Sequence, residues 1–576
     1  MGIFGSFAVC AIIVMKCVFL TAAILALSCQ MAGAGQKKVI VYGYDLLDAT
    51  PAEVLANADK FDHMPIDGVI ISSNGKNGNG RFLHHRYLMN EPEWDYDALD
   101  GEIDTLRQIA KHRSLRESLL GAWISTNPRL AWTDGEAWKR AAGNIAVLAH
   151  LAKLGGLKGL AVDAEDYHKS AQFYRAKNEP PYAELKKIVR CRGREFFKPM
   201  FDEYPEMTLF CFWILSFERE YRKVDNLEET ATHLEDLLPS FINGMFDVMP
   251  KTVRFVDGDE HSYKYQAGRG EFMASAYHRL SRVLPLIAPE HRETYRARLS
   301  IANAIYMDAF SDSCPFGSYW YAPPRDGSRA VHLRECIAEA FDAADEYVWL
   351  YGEQGCWIDW PGAFYNKHYA KKIRGDFRRT WDSIFPGLYS YIGTLRNPKQ
   401  TMLCIKNMKQ NPADNLLPQL DATCGDSSRI PVPYGIRCDA DKLVGEYGIR
   451  RQCGRGGKAG FFLKGTSRTC ILATAPVSPG MFYVASVYVR GGHPPSATAW
   501  LMTGGDHRFD LPSVAFSFEQ PGSDGWRRGI ALVKVPAGVT HIEINMGATL
   551  CESEEICFSD VFLCPLEHES ANADFS

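Results

Sequence analysis

The stretch Gly159-Leu160-Ala161-Val162-Asp163-Ala164-Glu165-Asp166-Tyr167 decides the fold. It is a short apolar run, uninterrupted until it ends in acids, which is how a strand buried on both faces reads. With a side-chain period of two, Asp163 and Glu165 share one face while Val162 and Ala164 take the other. Working outward, seven more such runs occur between Lys37 and Ser383: Val39 to Tyr44, Gly68 to Ser72, Gly121 to Ser125, Thr208 to Ile214, Thr252 to Val256, Ala304 to Met307 and Tyr347 to Tyr351. Helix signals stand between them. Thr50-Pro51-Ala52-Glu53 offers a capping hydroxyl, a proline suited to the first helical position and a glutamate that completes a capping box. Asp134 to Leu154, Ala183 to Phe201 and Ser328 to Ala344 carry apolar residues at helical spacing. Eight buried strands alternating with helices over roughly 350 residues is the α/β pattern of a (β/α)8 TIM barrel with enlarged loops. An open doubly wound sheet is the alternative. Neither G-x-G-x-x-G nor G-x-x-x-x-G-K-[ST] follows the first strand, however, so no nucleotide is expected as a partner.

In a barrel of this type the active site lies at the carboxyl ends of the strands. There the fourth run presents Asp163 and Glu165 side by side. Close carboxylates repel, so one keeps its proton near neutral pH while the other ionises, the division of labour that glycosidic bond cleavage needs. This D-x-E ending resembles the corresponding strand of family 18 chitinases and related barrel glycosidases, with Asp163 and Glu165 in the matching places. Ala161 stands where that family carries a further Asp, so the resemblance implies a glycosidase barrel but not the family's substrate-assisted mechanism. The structural alternative is that the two acids pair with a basic side chain or cap the next helix.

The sixth run ends in Asp257-Gly258-Asp259-Glu260-His261, a second group of acids at a strand end. A pair built from the fourth and sixth strands would face across the mouth. Glu165 is therefore expected as general acid/base, Glu260 as its partner carboxylate and Asp163 as the group that tunes Glu165. Glu353 after the eighth run, Asp257, and Asp308 after the seventh are the replacements for the partner role. Tyr44, Asp45, Trp123, Asn127, Tyr167, Trp213, His261 and Trp357 are the expected substrate-binding residues, with Tyr42, Ser73 and Asn74 also near strand ends; aromatic faces and small polar groups are what a sugar cleft requires. A hydrogen-bonding loop, or a calcium site lacking EF-hand spacing, is the alternative use of residues 257 to 261.

Beyond Asn397-Pro398 the texture changes to alternating strands separated by Gly and Pro: Gly460 to Leu463, Met481 to Val489, Ala497 to Met502, Arg528 to Val535, His541 to Met546 and Val561 to Leu563. This predicts a separate all-β sandwich. The segments Trp526-Arg527-Arg528-Gly529, Val535-Pro536-Ala537-Gly538 and Phe558-Ser559-Asp560-Val561 resemble those of the jelly-roll carbohydrate-binding modules of secreted glycosidases. The expected organisation is a signal peptide at 1–34, the catalytic barrel at 37–393, a linker and start of the second domain at 394–440, the sandwich at 441–566 and a tail at 567–576.

The leader reading rests on Met15-Lys16, the apolar run Cys17 to Leu27 and Ala32-Gly33-Ala34, an n-region, h-region and A-x-A cleavage site. It predicts a secreted, periplasmic or cell-surface protein with no stable membrane insertion after cleavage; an uncleaved anchor is the alternative. Thirteen of the cysteines lie beyond the cleavage site, and eight of them crowd the last third, where an exported protein forms disulfides; an odd number leaves at least one thiol unpaired. No C-x-x-C, H-E-x-x-H or G-x-S-x-G motif occurs, and His84-His85 has no evident third ligand, so neither metal nor cofactor is expected. The basic runs Lys186 to Arg194 and Lys371 to Arg379 read as solvated helix faces. With a net charge of -5, nucleic acid is not an expected partner.

Together these features predict a secreted glycoside hydrolase acting on a poly- or oligosaccharide. A non-catalytic glycan-binding or surface-assembly protein is the rival from another class. A polysaccharide lyase using Tyr167, His168 and Arg254 is a third reading.

Overall fold

The computed structural model describes residues 37–47, 49–73, 86–216, 226–360, 379–407, 410–420, 425–438, 445–466, 469–491, 495–548 and 554–566. The leader, Asn74, the His84-His85 pair, the stretch Lys371 to Arg378 and the tail lie outside them. Nine parallel segments form the first sheet: β1 (Lys38–Gly43), β2 (Gly68–Ile71), β3 (Leu119–Trp123), β4 (Gly159–Asp163), β5 (Thr208–Cys211), β6 (Arg254–Asp257), β7 (Leu299–Ile301), β8 (Asn303–Tyr306) and β9 (Tyr347–Gly352). Their order is β7-β6-β5-β4-β3-β2-β1-β9-β8. Only Ala302 separates β7 from β8, so these two are one stave that pairs with β6 through its first half and with β9 through its second. The sheet therefore closes on itself as an eight-stave barrel. All eight expected runs are staves, and β2, β4 and β5 are buried at every position, as strands covered on both faces must be.

Helices sheathe the barrel, and their ends follow local chemistry. Thr50 caps Pro51–Ala56, with the Glu53 carboxylate returning to the Thr50 N–H at 2.8 Å. Asp134 caps Gly135–Leu154 by accepting from the Ala137 N–H at 3.0 Å, and Ser328 caps Arg329–Ala343. The long helix Tyr182–Glu203 crosses Leu238–Val248 at Gly193 and Gly244. A methyl group on Gly193 would sit 2.3 Å from the Phe241 carbonyl oxygen, so only glycine permits this approach. In the basic run on the long helix Lys186 and Lys187 are exposed, as a solvated face requires, while Arg190 and Arg194 both reach Asp247.

The C-terminal unit is a sandwich of two antiparallel sheets. Strict alternation of burial along Thr469–Pro476 shows one face turned to the core and one outward. A disulfide, Cys453–Cys557, ties the second sheet to the loop that precedes its neighbouring strand. The outer face of that second sheet is not free. Phe482, Val484, Ile530, Phe562 and Leu566 pack with Tyr391 and Ile405 of the helices Leu388–Arg396 and Pro398–Asn407. At the edge of this seam the turn at Ala537-Gly538 meets the barrel: the Ala537 N–H donates to the Glu335 carboxylate, and the Gly538 N–H donates to Asp326 Oδ2 at 2.5 Å. Among the described residues no helix is long and apolar enough to cross a membrane.

Candidate active site

The carboxyl ends of the staves open into a cavity of about 700 Å³, within the range of ligand pockets. Asp163 and Glu165 after β4, Glu260 after β6 and Glu353 after β9 all line it, as do Tyr44, Trp123, Tyr167 and His261. Asp163 at the end of β4 and Glu165 two residues beyond it both reach this space, and the turn after β6 brings a third acid to it.

These acids differ in what holds them. Asp163 is buried, and both its oxygens are engaged: Oδ1 accepts the Glu165 N–H at 2.8 Å and Oδ2 accepts the Tyr167 hydroxyl at 2.6 Å. Burial, then the charge of Glu165, lift it to about 7 against those hydrogen bonds. Burial also raises Glu165, countered by Tyr167 and helped by the charge of Asp166. Glu260 is pushed well toward its neutral form, by burial first and by the charges of Asp163 and Glu165 second. Its Oε2 is sealed from solvent with no hydrogen-bond partner among the described residues, as is the Ser125 hydroxyl on the same wall. Glu353 accepts from the Tyr351 hydroxyl at 3.1 Å, and burial raises it too.

The turn that follows β6 explains why Glu260, rather than its neighbours, reaches the cavity. Asp259 adopts the left-handed conformation, with φ 45°, which Asp tolerates better than most residues. On one side of this bend Asp257 and Asp259 are drawn to Arg279, whose guanidinium is wholly buried, with Nη2 3.4 Å from Asp259 Oδ2. Asp257 also accepts the Ser216 hydroxyl at 2.8 Å. Beyond the bend the Glu260–Lys264 turn faces the opening.

The other expected residues stand elsewhere. Asp308 is buried beneath the mouth, accepts the Glu353 N–H at 2.6 Å and is lifted by burial to about 8. Asp45 is buried and accepts the Trp357 N–H at 2.8 Å and the Trp360 indole N–H at 3.1 Å, while the Trp357 indole N–H reaches the Tyr42 carbonyl. Asp45, Asp308, Trp357 and Trp360 brace the loop after β9 and do not line the cavity. Trp213 is buried without lining it, and Asn127 lies exposed, its N–H on the Asn90 side chain. Arg254 sits at the amino end of β6 in an ion pair with Glu346, at the opposite end of the barrel from the cavity, which removes it from the lyase reading.

The sequence reading missed much of the aromatic wall. Tyr351 stacks on Tyr263 with ring centroids 5.7 Å apart and on Tyr306 at 5.8 Å, and Trp349 stacks on Phe212 at 4.6 Å. Tyr319 and Trp320, from the long connection after β8, form the lip together with Lys264, and Arg86 lies over the Trp123 ring at 4.4 Å. For Tyr306, Trp349 and Tyr351 the signal was present as inward positions near strand ends. For Tyr319 and Trp320 it was only a Tyr/Trp-rich loop.

No family model and no curated protein matches the chain. Among solved structures it is similar to a xylanase 10B fragment of Clostridium thermocellum comprising a family 22 carbohydrate-binding module and a family 10 hydrolase module, at 14% identity and TM-score 0.19 over 27% of this chain and 28% of that one. It is similar to the xylan-binding domain of Paenibacillus barcinonensis Xyn10C at 13% identity and TM-score 0.20, over 28% of this chain and 99% of that one. An arabinose-bound family 51 α-L-arabinofuranosidase gives 11% identity and TM-score 0.22 over 27% of each. Overlap this slight bears neither on the fold nor on the chemistry of this chain, both of which rest on the geometry above.

Proposed function

We propose that the chain is a secreted glycoside hydrolase whose catalytic unit is the barrel, residues 37–393, and whose sandwich, residues 441–566, helps hold it on a polysaccharide. The observation that carries this reading is the convergence of Asp163, Glu165 and Glu260, from two staves, in one aromatic-walled cavity. Burial and mutual repulsion there make it costly for all three to ionise together. Aromatic rings supply faces for sugar stacking, and the unpartnered Ser125 hydroxyl supplies a polar contact.

The electrostatics favour a division of roles that reverses the one expected from sequence. Glu260, whose Oε2 is closed off and whose carboxyl burial and the neighbouring acids push well up, holds the proton and delivers it to the leaving oxygen as general acid. Glu165, whose hydrogen bond with Tyr167 favours its charged form, serves as the ionised partner that attacks the anomeric carbon or activates water. Asp163, fixed at both oxygens, keeps the Glu165 backbone in place. Reducing-end release from a panel of neutral, uronic and sulfated polysaccharides, with Glu165→Gln in parallel, tests the reading. Release that falls by about 10²-fold or more in the variant supports it. Binding by both proteins with release by neither overturns it.

A further inference from the structure

The cavity carries more positive charge than cleavage of a neutral sugar requires. Four basic side chains line it alongside the acids: Arg86, His168, His261 and Lys264. Lys264 closes the turn that begins with Glu260, and its ammonium sits 4.7 Å from the Trp320 ring centroid at the lip. No ion pair joins it to a carboxylate among the described residues, although such pairs are common elsewhere in the molecule. Arg86 enters from the other side, over Trp123 and close enough to Asp163 to act on its charge. The two permanent cations therefore flank the acids, one on the β3–β4 side and one after β6. A cation resting on aromatic faces in a partly desolvated cleft attracts anions more strongly than the same group in water.

We propose that Lys264 and Arg86 make this a site for an acidic glycan, one bearing a carboxylate or sulfate on a sugar next to the bond that is cut. This rests on the hydrolase reading for the same cavity and adds the substrate's charge to it. The ammonium of Lys264 and the guanidinium of Arg86 read the anionic substituent while the rings of Trp320 and Trp123 hold the sugar face. Burial raises Glu260 and Glu353 toward their neutral forms, which weakens the repulsion the carboxylates set against an anion.

The test measures binding on the full chain carrying Glu260→Gln, so that affinity is read without turnover. The probes are two matched pairs: polygalacturonate with its carboxyl-reduced form, and ι-carrageenan with its desulfated form. The expected result is a preference of about tenfold or more for the anionic member of at least one pair, declining with added salt and collapsing in Lys264→Gln and Arg86→Gln. The pair that shows it tells carboxylate from sulfate recognition. Equal affinity within both pairs, binding to neither anionic member, or a preference that survives both substitutions overturns the inference. The hydrolase reading is scored separately on the wild-type chain. Cleavage of neutral glycans with no charge preference sinks this inference alone, whereas a Lys264-dependent preference without release from any glycan sinks the hydrolase reading alone.

Discussion

Two groups of acids in this molecule meet opposite fates. Inside the cavity Asp163, Glu165 and Glu260 crowd together with hydroxyl and backbone donors, and all three are raised even though the charge of Arg86 acts the other way on Asp163. On the outer helical layer Asp247 is also partly buried, yet Arg190 grips both its oxygens at 2.6 and 2.8 Å, Arg194 lies 3.1 Å away and His291 2.7 Å. Those partners overcome the burial penalty and hold Asp247 at about 2. Burial acts upward on both and is deeper in the cavity; the company each acid keeps then decides whether that push prevails. The outer cluster has spent its charge on holding helices together, while the inner one keeps protons available for chemistry.

The sharpest way to break this comparison is to neutralise one acid in each place. Glu260→Gln keeps the shape of a carboxyl that burial pushes toward its neutral form, so it should cost about 10³-fold in kcat while the unfolding free energy changes by no more than about 1 kcal/mol. Steady-state kinetics and chemical denaturation on the same preparation check both halves. Arg279→Met comes next. It leaves Asp257 and Asp259 buried without their cation and should destabilise the fold by about 3–5 kcal/mol, read as a fall in denaturation midpoint. Asp247→Asn should lower stability by about 2 kcal/mol with kcat intact.

The same contrast sets a pH signature. Asp247 binds its proton less tightly folded than unfolded, so its contribution is fully present above 3.8 and is lost as pH falls from there toward about 2. Asp163 and Asp308 run the other way. Their folded values of about 7 and about 8 lie above 3.8, so stability is greatest while they stay protonated and declines as pH climbs from about 4 to 8. Denaturation midpoints should therefore peak on the acid side of neutral, and Asp308→Asn should flatten the alkaline slope. The smallest effect is expected from Tyr167→Phe, which removes the 2.6 Å hydroxyl donor to Asp163. The limb of the pH–rate profile governed by the cavity acids should move upward by about half a unit.

The barrel was legible because its information is local. Each stave announces itself as a short apolar run, and Thr50, Asp134 and Ser328 mark helix starts through side chains that act within three residues. The pairing of Asp163 and Glu165 on one face follows from strand periodicity in the same way. What periodicity cannot encode is the path of a long connection. Tyr319 and Trp320 reach the lip only through the tertiary course of the segment between β8 and the helix at Arg329, and Asp257 is taken out of the cavity by Arg279, 22 residues further along the chain. Asp45 and Trp357 looked like cleft residues for the right reason, nearness to strand ends, but more than 300 residues of chain return to let each satisfy the other. In the sandwich, Thr469–Pro476 escaped notice because its Ala and Thr residues alternate in burial without alternating strongly in hydrophobicity.

The seam between Tyr391, Ile405 and Phe482 bears on how the protein can be cut and rebuilt. A fragment ending at Gly393 would present Tyr391 and Ile392 without the sheet that covers Tyr391 and would lose the second seam helix altogether, an invitation to self-association at expression concentrations. The two units are thus poor candidates for exchange as independent cassettes. A foreign module fused after Asn407 would have to reproduce the apolar sheet face and the Ala537-Gly538 turn, or leave the helices Leu388–Arg396 and Pro398–Asn407 without a seat.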